Sequence, residues 1–280
     1  MDLVKQIALY KSEGVVILRS VLTPEEIELL REGIDSVIQQ PSPRAIVASA
    51  QDDPGLFIED FCRWRDVPSL KRFVLSTKLA EIGAALMESR TATMYHDHIL
   101  VKEPRTRQRT PWHQDMPYYD VEGQQNVSFW IPVDAVPEES SLELWAGSHR
   151  SGQWYMPRTF QTKEAKWFPE GSLPELPDFD AQSPAAQISL RRWAMQPGDA
   201  IAFHYLTAHG APGVPGGDRR RVFSLRLVGD DHRFVRRSWV PSPDLSTVIP
   251  REEDRRTTGY PLKGTWFPRL FPAGNVSSSL

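Results

Sequence analysis

The segment RTPWHQDMPYYD, residues 109–120, sets His113 and Asp115 two positions apart between Pro111 and Pro117. On an extended strand, side chains at i and i+2 share a face. The spacing predicts that the His113 imidazole and the Asp115 carboxylate look the same way and can hold one ion if a third ligand arrives from elsewhere. PGDAIAFHYLTAHGAPG reads as a turn leading into a core strand and supplies two candidates, His204 and His209. His204 has bulky strand neighbours, Phe203 and Tyr205. His209 is preferred because the small Gly210 and Ala211 leave room for backbone beside a metal.

Two neutral imidazoles and one carboxylate on one face of an octahedral ion leave three positions open, the pattern of non-haem Fe(II) sites. Zinc more often takes a tetrahedral site with one open position. Three open positions accept a bidentate 2-oxo acid and then dioxygen. If that acid carries a second carboxylate, a guanidinium matches it in charge and shape. HGAPGVPGGDRRRVFSLRLV offers Arg219, Arg220 and Arg221 just before a strand. On that strand Phe223, Leu225 and Leu227 form one row, and Arg220, Val222, Ser224 and Arg226 form the other. Arg220, with the Ser224 hydroxyl on its face, is the candidate grip, and the other two arginines of the run read as a solvated turn.

The elements that must position these groups differ along the chain. GVVILRSVL is a β-branched strand. TPEEIELLREGIDSVIQQ carries helix-start signals, with Thr23 as N-cap, Pro24 at the first helical position and Glu26 closing a capping box. Ile27, Leu30 and Ile34 follow at helical spacing. SPRAIVASAQDDPG reads as loop. SLKRFVLSTKLAEIGAALMES reads as one or two helices with Leu79, Ile82, Leu86 and Met87 inward. After Arg90 come short aromatic and β-branched runs separated by turn residues: TATMYHDHILVK, NVSFWIPVDAV, SLELWAG, DAIAFHYL and RVFSLRLVGD. This is the texture of a β-barrel or sandwich. The expectation is one domain over residues 1–280: a strand and helical lead-in over 1–90, a β-core over 91–240 and a C-terminal extension over 241–280. Within the core, residues 151–184 read as a long lid-like loop, and the final NVSSSL reads as a disordered tail. Trp112, Tyr118, Tyr119, Trp145, Trp154, Tyr155, Trp167 and Phe168 are candidate pocket walls.

Composition excludes several classes. Among 280 residues, 33 basic and 36 acidic side chains give a net charge of -3, which argues against a dedicated nucleic-acid surface. No apolar run is long enough to span a bilayer, and the N-terminus does not read as a signal peptide. Cys62 is the only cysteine; it reads as a packed side chain, and the lack of a possible intrachain disulfide fits a reducing, cytoplasmic setting. The arginine clusters Arg105, Arg107, Arg109 and Arg191, Arg192 read as surface, with an anionic substrate or a coenzyme A thioester as the sharper alternative.

Four segments in order resemble the phytanoyl-CoA hydroxylase family, which includes ectoine hydroxylase, within the Fe(II)/2-oxoglutarate oxygenases: SEGVVILRSVLTPEEIELLREGID, LVKEPRTRQRTPWHQD, SFWIPVDAVPEESSLELWAGSHRSG and PGDAIAFHYLTAHGAPG…RRRVFSLR. The resemblance implies a double-stranded β-helix (jelly-roll, cupin-like) core with iron ligands His113, Asp115 and His209. It implies Arg220 as the 2-oxoglutarate arginine, with Trp130 and Thr110 beside that cosubstrate. His96 and His98 share parity with barrel-inward positions, so His98 becomes a candidate cosubstrate or substrate contact. His149 sits in the GSH turn and is expected to satisfy loop backbone. Two departures are Ser140-Ser141, where the family commonly has N-G-C, and Ala211, where several members have serine. The implied activity is a dioxygenase that uses Fe(II), 2-oxoglutarate and O2 to hydroxylate a small or medium organic metabolite, with release of succinate and carbon dioxide. Alternatives are desaturation, epimerisation or cyclisation on the same fold, or a cupin-like metal enzyme that does not use 2-oxoglutarate.

Overall fold

The computed structural model describes residues 2–159, 164–177, 179, 189–214, 216 and 218–272. The chain opens with helix α1 (Leu3–Glu13), strand β1 (Val15–Leu18), helix α2 (Pro24–Gln39) and strands β2 (Ile46–Val47) and β3 (Phe57–Phe61). Helices α3 (Pro68–Ser76) and α4 (Leu79–Leu86) lead to β4 (Ala92–Lys102), β5 (Thr110–His113), β6 (Val121–Glu122), β7 (Asn126–Pro132) and β8 (Glu143–Trp145). The described elements continue with β9 (Leu190–Arg191), β10 (Ala200–Phe203), β11 (His209–Ala211), β12 (Arg220–Val228), β13 (Arg233–Phe234) and β14 (Arg269–Phe271).

Two antiparallel sheets carry the architecture. The larger runs β1-β10-β7-β12-β4-β3-β2, with β14 also paired to β4; the smaller runs β5-β11-β8-β9. Their inner faces together line one cavity, Trp130, Phe203 and Ser224 from the larger and Thr110, His113 and His209 from the smaller. This is the jelly-roll arrangement that the sequence texture and the family resemblance imply.

The outer face of the larger sheet is covered by helices. Ile27, Leu30 and Ile34 of α2, Leu70 and Phe73 of α3 and Leu79 of α4 share one buried apolar cluster with Phe129, Ile131, Phe223, Leu225 and Leu227. The period-two alternation of β12 thus divides as expected, with its apolar row under the helices and Arg220, Val222, Ser224 and Arg226 lining the cavity. Helix α2 begins as its sequence dictates: Thr23 accepts from the Glu26 amide, and the Glu26 carboxylate accepts from the Thr23 amide. In α4, Leu79 and Leu86 are buried, as is Met87 just beyond its end, while Ile82 is half-buried.

Three elements within the first ninety residues were not anticipated. Residues 3–13 form α1, which ends at Gly14 in the left-handed conformation (φ 71°); a Cβ there would strike the His149 ring. The segment read as loop holds β2, and FIEDF forms β3, paired to β4 along its whole length. Strands β1, β2 and β3 from the first ninety residues and β14 near the C-terminus all join the larger sheet. Part of the lid-like segment (160–163, 178 and 180–184) and the NVSSSL tail lie outside the described residues.

Candidate metal centre

His113 ends β5 and His209 opens β11, and the two are direct antiparallel partners. Their rings lie 4.2 Å apart between centroids. Each Nδ1 faces a backbone carbonyl two residues earlier, His113 to Pro111 at 2.8 Å and His209 to Thr207 at 2.9 Å. An Nδ1–H that donates to its carbonyl leaves Nε2 as the lone-pair nitrogen. Both Nε2 atoms point at the same carboxylate oxygen, Asp115 Oδ1, at 3.8 Å and 3.9 Å. The three ligand atoms lie within 4.8 Å of one another. Those distances exceed hydrogen bonds and leave a gap of the size that a coordinated ion fills.

Asp115 reaches this point differently from the expectation. Strand β5 stops at His113, and Asp115 is in a helical conformation (φ -72°, ψ -41°) that starts a short 3-10 turn. Its amide and that of Met116 both donate to the Tyr205 carbonyl, at 2.9 Å and 3.0 Å. The turn is thus pinned to the connection between β10 and β11. Shared strand parity is not what aligns the two side chains; a tight turn after the strand does it.

The electrostatics suit a cation. Burial, reinforced by the nearby His209, pulls the His113 imidazole down to about 3, and burial likewise lowers His209, so both are neutral donors. Burial of Asp115 favours its acid form, but Arg226 beside it and the Ser128 hydroxyl hold the carboxyl well below the usual range. Ser128 donates to Oδ2 at 2.9 Å, and Arg226 Nε lies 3.5 Å from the same oxygen. Oδ1 is left for a metal while Oδ2 is tied down, as outer partners of metal ligands commonly arrange.

The cavity holds about 530 Å³, within the usual range of ligand pockets. The register of the larger sheet arranges its inner face in rungs. Lys102 pairs with Arg220, Leu100 with Val222, His98 with Ser224 and His96 with Arg226. Ser224 continues to Trp130 and Arg226 to Ser128 on β7, while Glu59 lies opposite Leu100 and Phe61 opposite His98 on β3.

Each anticipated site residue lines this cavity: His113, Asp115, His209, Arg220, Trp130, Thr110 and His98, with His96 and Ser224. Arg220 is buried, and its only hydrogen bonds among the described residues go to the carbonyls of Ser140 and Pro212. Its guanidinium carbon lies 5.8 Å from the Trp130 ring centre. Burial pulls it down to about 10, the signature of a charge that has lost water without gaining a carboxylate. Its neighbours are committed elsewhere: Arg219 pairs with Glu103, and Arg221 with Asp134 and Asp35.

His204 is not in the group; its Nε2 faces the Gln124 carbonyl at 3.0 Å. His149 Nε2 faces the Lys11 carbonyl at 3.3 Å, so it meets the last turn of helix α1 and not the loop backbone that the sequence suggests. Of the expected aromatic walls, Tyr118 and Tyr119 line the cavity. Trp112 points the other way, against Phe179, because it alternates with His113 along β5. A Cβ on Gly210 would come within 3.1 Å of the Thr110 carbonyl oxygen and 3.3 Å of the Trp112 ring, so that glycine admits the backbone and tryptophan of β5 and not a metal. Trp167 backs Tyr118 at 5.1 Å, and Trp145, Trp154, Tyr155 and Phe168 pack among aromatic neighbours. The arginine clusters are largely paired on the surface, Arg109 with Glu143, Arg191 with Glu13 and Arg192 with Glu138.

The sequence assigns no role to six further charged residues of the cavity, Glu59, Lys102, Arg158, Glu164, Lys166 and Arg226. Arg226 was on the correct row but unassigned. Lys102 is buried, with Nζ donating to the carbonyls of Gln108, Ala211 and Pro212. Glu59 arrives on the unrecognised β3; its parity on a strand would have been the signal.

Residues 10–222 match the family model for phytanoyl-CoA dioxygenase. A probable phytanoyl-CoA dioxygenase of Caenorhabditis elegans is 22% identical over 221 residues, 75% of this chain and 63% of that protein, so the chain spans under two thirds of that relative's length. Among solved structures, the non-haem α-ketoglutarate-dependent carbocyclase SnoK of nogalamycin biosynthesis is similar with a TM-score of 0.73 and 21% identity, covering 95% of each chain. The epimerase SnoN, solved with Fe3+, α-ketoglutarate and nogalamycin RO, gives 0.72 and 16% identity over 96% of this chain and 98% of its own. EctD from S. alaskensis, solved with 2-oxoglutarate and 5-hydroxyectoine, gives 0.59 and 17% over 80% and 75%. At these identities the solved structures establish the shared fold. The match to the family model extends over most of the chain, and on that ground the chain belongs to the phytanoyl-CoA dioxygenase family.

Proposed function

We propose that this chain is a dioxygenase that hydroxylates a small or medium organic molecule at the expense of 2-oxoglutarate, with His113, Asp115 and His209 as the iron ligands and Arg220 as the seat of the distal cosubstrate carboxylate. One observation carries the reading: three converging lone pairs and a buried arginine without a carboxylate partner among the described residues line the same cavity. Iron, 2-oxoglutarate and dioxygen, when bound, supply an oxidation of the substrate coupled to decarboxylation of the 2-oxo acid to succinate.

The chain's own residues bind, orient and exclude water. The carbonyls of Pro111 and Thr207 fix the tautomer of the two imidazoles, and Ser128 and Arg226 hold the second oxygen of Asp115. Arg220 offers a bidentate donor pair to a carboxylate. Trp130 flanks it, and Thr110 contributes a hydroxyl on the opposite sheet, so both belong at the cosubstrate end. His98, a rung further from Arg220 than Leu100 and near the β3 edge, belongs at the substrate end. Low water content in such a chamber strengthens each of these interactions.

The test is succinate formation from 2-oxoglutarate by the Fe(II)-loaded protein. Turnover is expected to require both metal and 2-oxoglutarate and to be abolished in His113→Ala and Asp115→Ala. A metal-loaded wild type that forms no succinate rejects the proposal.

A further inference from the structure

The cavity continues beyond the metal centre and Arg220 to the edge formed by β2 and β3, where Ile46, Ala48, Glu59 and Phe61 line it. Glu59 is buried, and its Oε1 has no hydrogen-bond partner. Its Oε2 lies 3.9 Å from His98 Nε2, too far for a hydrogen bond. That nitrogen is also buried without a partner, as is His96 Nε2 on the neighbouring inward position of β4. Phe61 stacks on His98 at 4.0 Å and 19°, which fixes the imidazole plane.

None of the cations near Glu59 forms a hydrogen bond or ion pair with it among the described residues, and Arg226 Nη1 is itself buried without a partner. Lys102 donates to three carbonyls, Arg226 serves Asp115 and Tyr119, and Lys166 lies over the rings of Tyr118 and Trp167. An ionised carboxylate only accepts hydrogen bonds, and a buried one without donors is costly. Whatever fills this end must therefore bring donors. A cationic donor would sit in the field of Lys102, Arg226 and Lys166, and an anionic group would meet Glu59 itself. A neutral hydroxyl satisfies both constraints, since it can donate to the Glu59 carboxylate and bridge from the side to His98 Nε2, 3.9 Å away. Leu100 opposite Glu59 and Phe61 on the His98 ring provide apolar surface around this polar pair, and Tyr118, beside His113, lines the same cavity.

We propose that Glu59 and His98 form the recognition end of the substrate chamber, and that the substrate is a neutral organic molecule presenting hydroxyl groups to them with its apolar body against Phe61, Leu100 and Tyr118. This inference rests on the assignment of His113, Asp115, His209 and Arg220 to the iron and cosubstrate end, which leaves the β3 edge to the substrate. The 2-oxoglutarate dianion, an acceptor of the same charge as Glu59, is excluded from this end by the same reasoning.

The experiment is thermal unfolding of wild type, Glu59→Leu and Glu59→Gln at pH 8. Each is measured alone, with Mn(II) plus 2-oxoglutarate, and then with either phenyl β-D-glucoside or benzylammonium chloride as probe. Without ligands, Glu59→Leu is expected to raise the Tm by about 2–4 °C, because it removes a buried group that nothing satisfies; a structural carboxylate would give a fall. The shift produced by Mn(II) and 2-oxoglutarate is expected to be equal in all three proteins. Phenyl β-D-glucoside is expected to stabilise the loaded wild type, to bind Glu59→Leu at least tenfold more weakly, and to retain part of its effect in Glu59→Gln, whose amide oxygen still accepts. The inference is overturned if Glu59→Leu lowers the Tm, if the glucoside acts equally on wild type and Glu59→Leu or on neither, or if benzylammonium is the probe that Glu59 selects. Absence of any Mn(II) and 2-oxoglutarate shift in wild type would instead reject the metal reading, while the ligand-free and glucoside comparisons would still decide the role of Glu59.

Discussion

Arg220 and Arg221 are neighbours in the chain and opposite in circumstance: one faces the cavity without a carboxylate, and the other is locked between Asp134 and Asp35 on the outer side. Arg220→Ala is expected to raise the 2-oxoglutarate requirement at least tenfold, since truncating one partner of a buried charge pair costs ~2–5 kcal/mol. Arg221→Ala is expected to leave that requirement unchanged and to lower stability by about 1 kcal/mol. Steady-state kinetics with varied 2-oxoglutarate, alongside unfolding of both variants, checks the pair. Glu59 gives a prediction in pH. Burial raises its carboxyl to about 7 against the pull of Lys102, Arg226 and Lys166. A carboxyl raised in the folded state favours the fold below its unfolded value of about 4.5 and loses that contribution as pH rises towards about 7. The loss is of the order of 3 kcal/mol. Glu59→Gln is expected to flatten this part of the stability profile, as denaturant titrations from pH 4.5 to 8 would record. At this scale the metal group was legible because residue type and strand parity suffice to nominate His113 and Arg220. Trp112 does not line the cavity because parity with an inward His113 turns it to the other face, and Gly210 faces the neighbouring strand β5, a contact that the local sequence does not contain.

The elements explain which signals were readable. Helix α2 announced itself through Thr23, Pro24 and Glu26, and the capping box is present. Thr23→Ala is expected to cost about 1 kcal/mol and to lower the Tm by about 2–3 °C, with no change in the 2-oxoglutarate requirement, because the helix lies on the far face of the sheet. Calorimetry and a single kinetic series check both halves. Strand β3 was unreadable for a related reason. Its core faces are split, so FIEDF puts Glu59 into the cavity and Asp60 onto Arg63 and Ser42. Acidic residues in the interior of a short strand contradict the apolar alternation that signals one. The expected continuation of β5 through Asp115 failed because the amides of Asp115 and Met116 are captured by the Tyr205 carbonyl from a distant segment, an override that local propensity does not contain.

For the whole molecule, the site exists only where the two sheets face each other. His113 and Asp115 come from one connection, His209 from the partner strand β11, and Arg220 from the larger sheet. Ligands that bind across this gap bind the folded state alone, so they stabilise it by mass action. At a hundred times its dissociation constant, a metal and 2-oxoglutarate pair is expected to add about 2.7 kcal/mol. This corresponds to a Tm rise of about 5–10 °C, reversible by a chelator and absent in His113→Ala. A scan with Mn(II) as a redox-silent metal, with and without EDTA, tests this. No helix among the described residues is long and apolar enough to cross a membrane, and the single cysteine is buried at Cys62.

Residue types and their spacing alone nominated His113, Asp115 and His209 as candidate donors and determined the arginine row of β12, the capping of α2 and the alternation that makes the chain beyond Arg90 a pair of sheets. These are local matters, written in periods of two and 3.6 and in the chemistry of individual side chains. Tertiary structure alone decided that the Asp115 oxygen meets both imidazoles, that Arg226 and Ser128 hold its other oxygen, and that Glu59 shares their chamber. Such contacts join residues far apart in the chain, and their geometry follows from register between strands and from backbone hydrogen bonds that no single segment carries by itself.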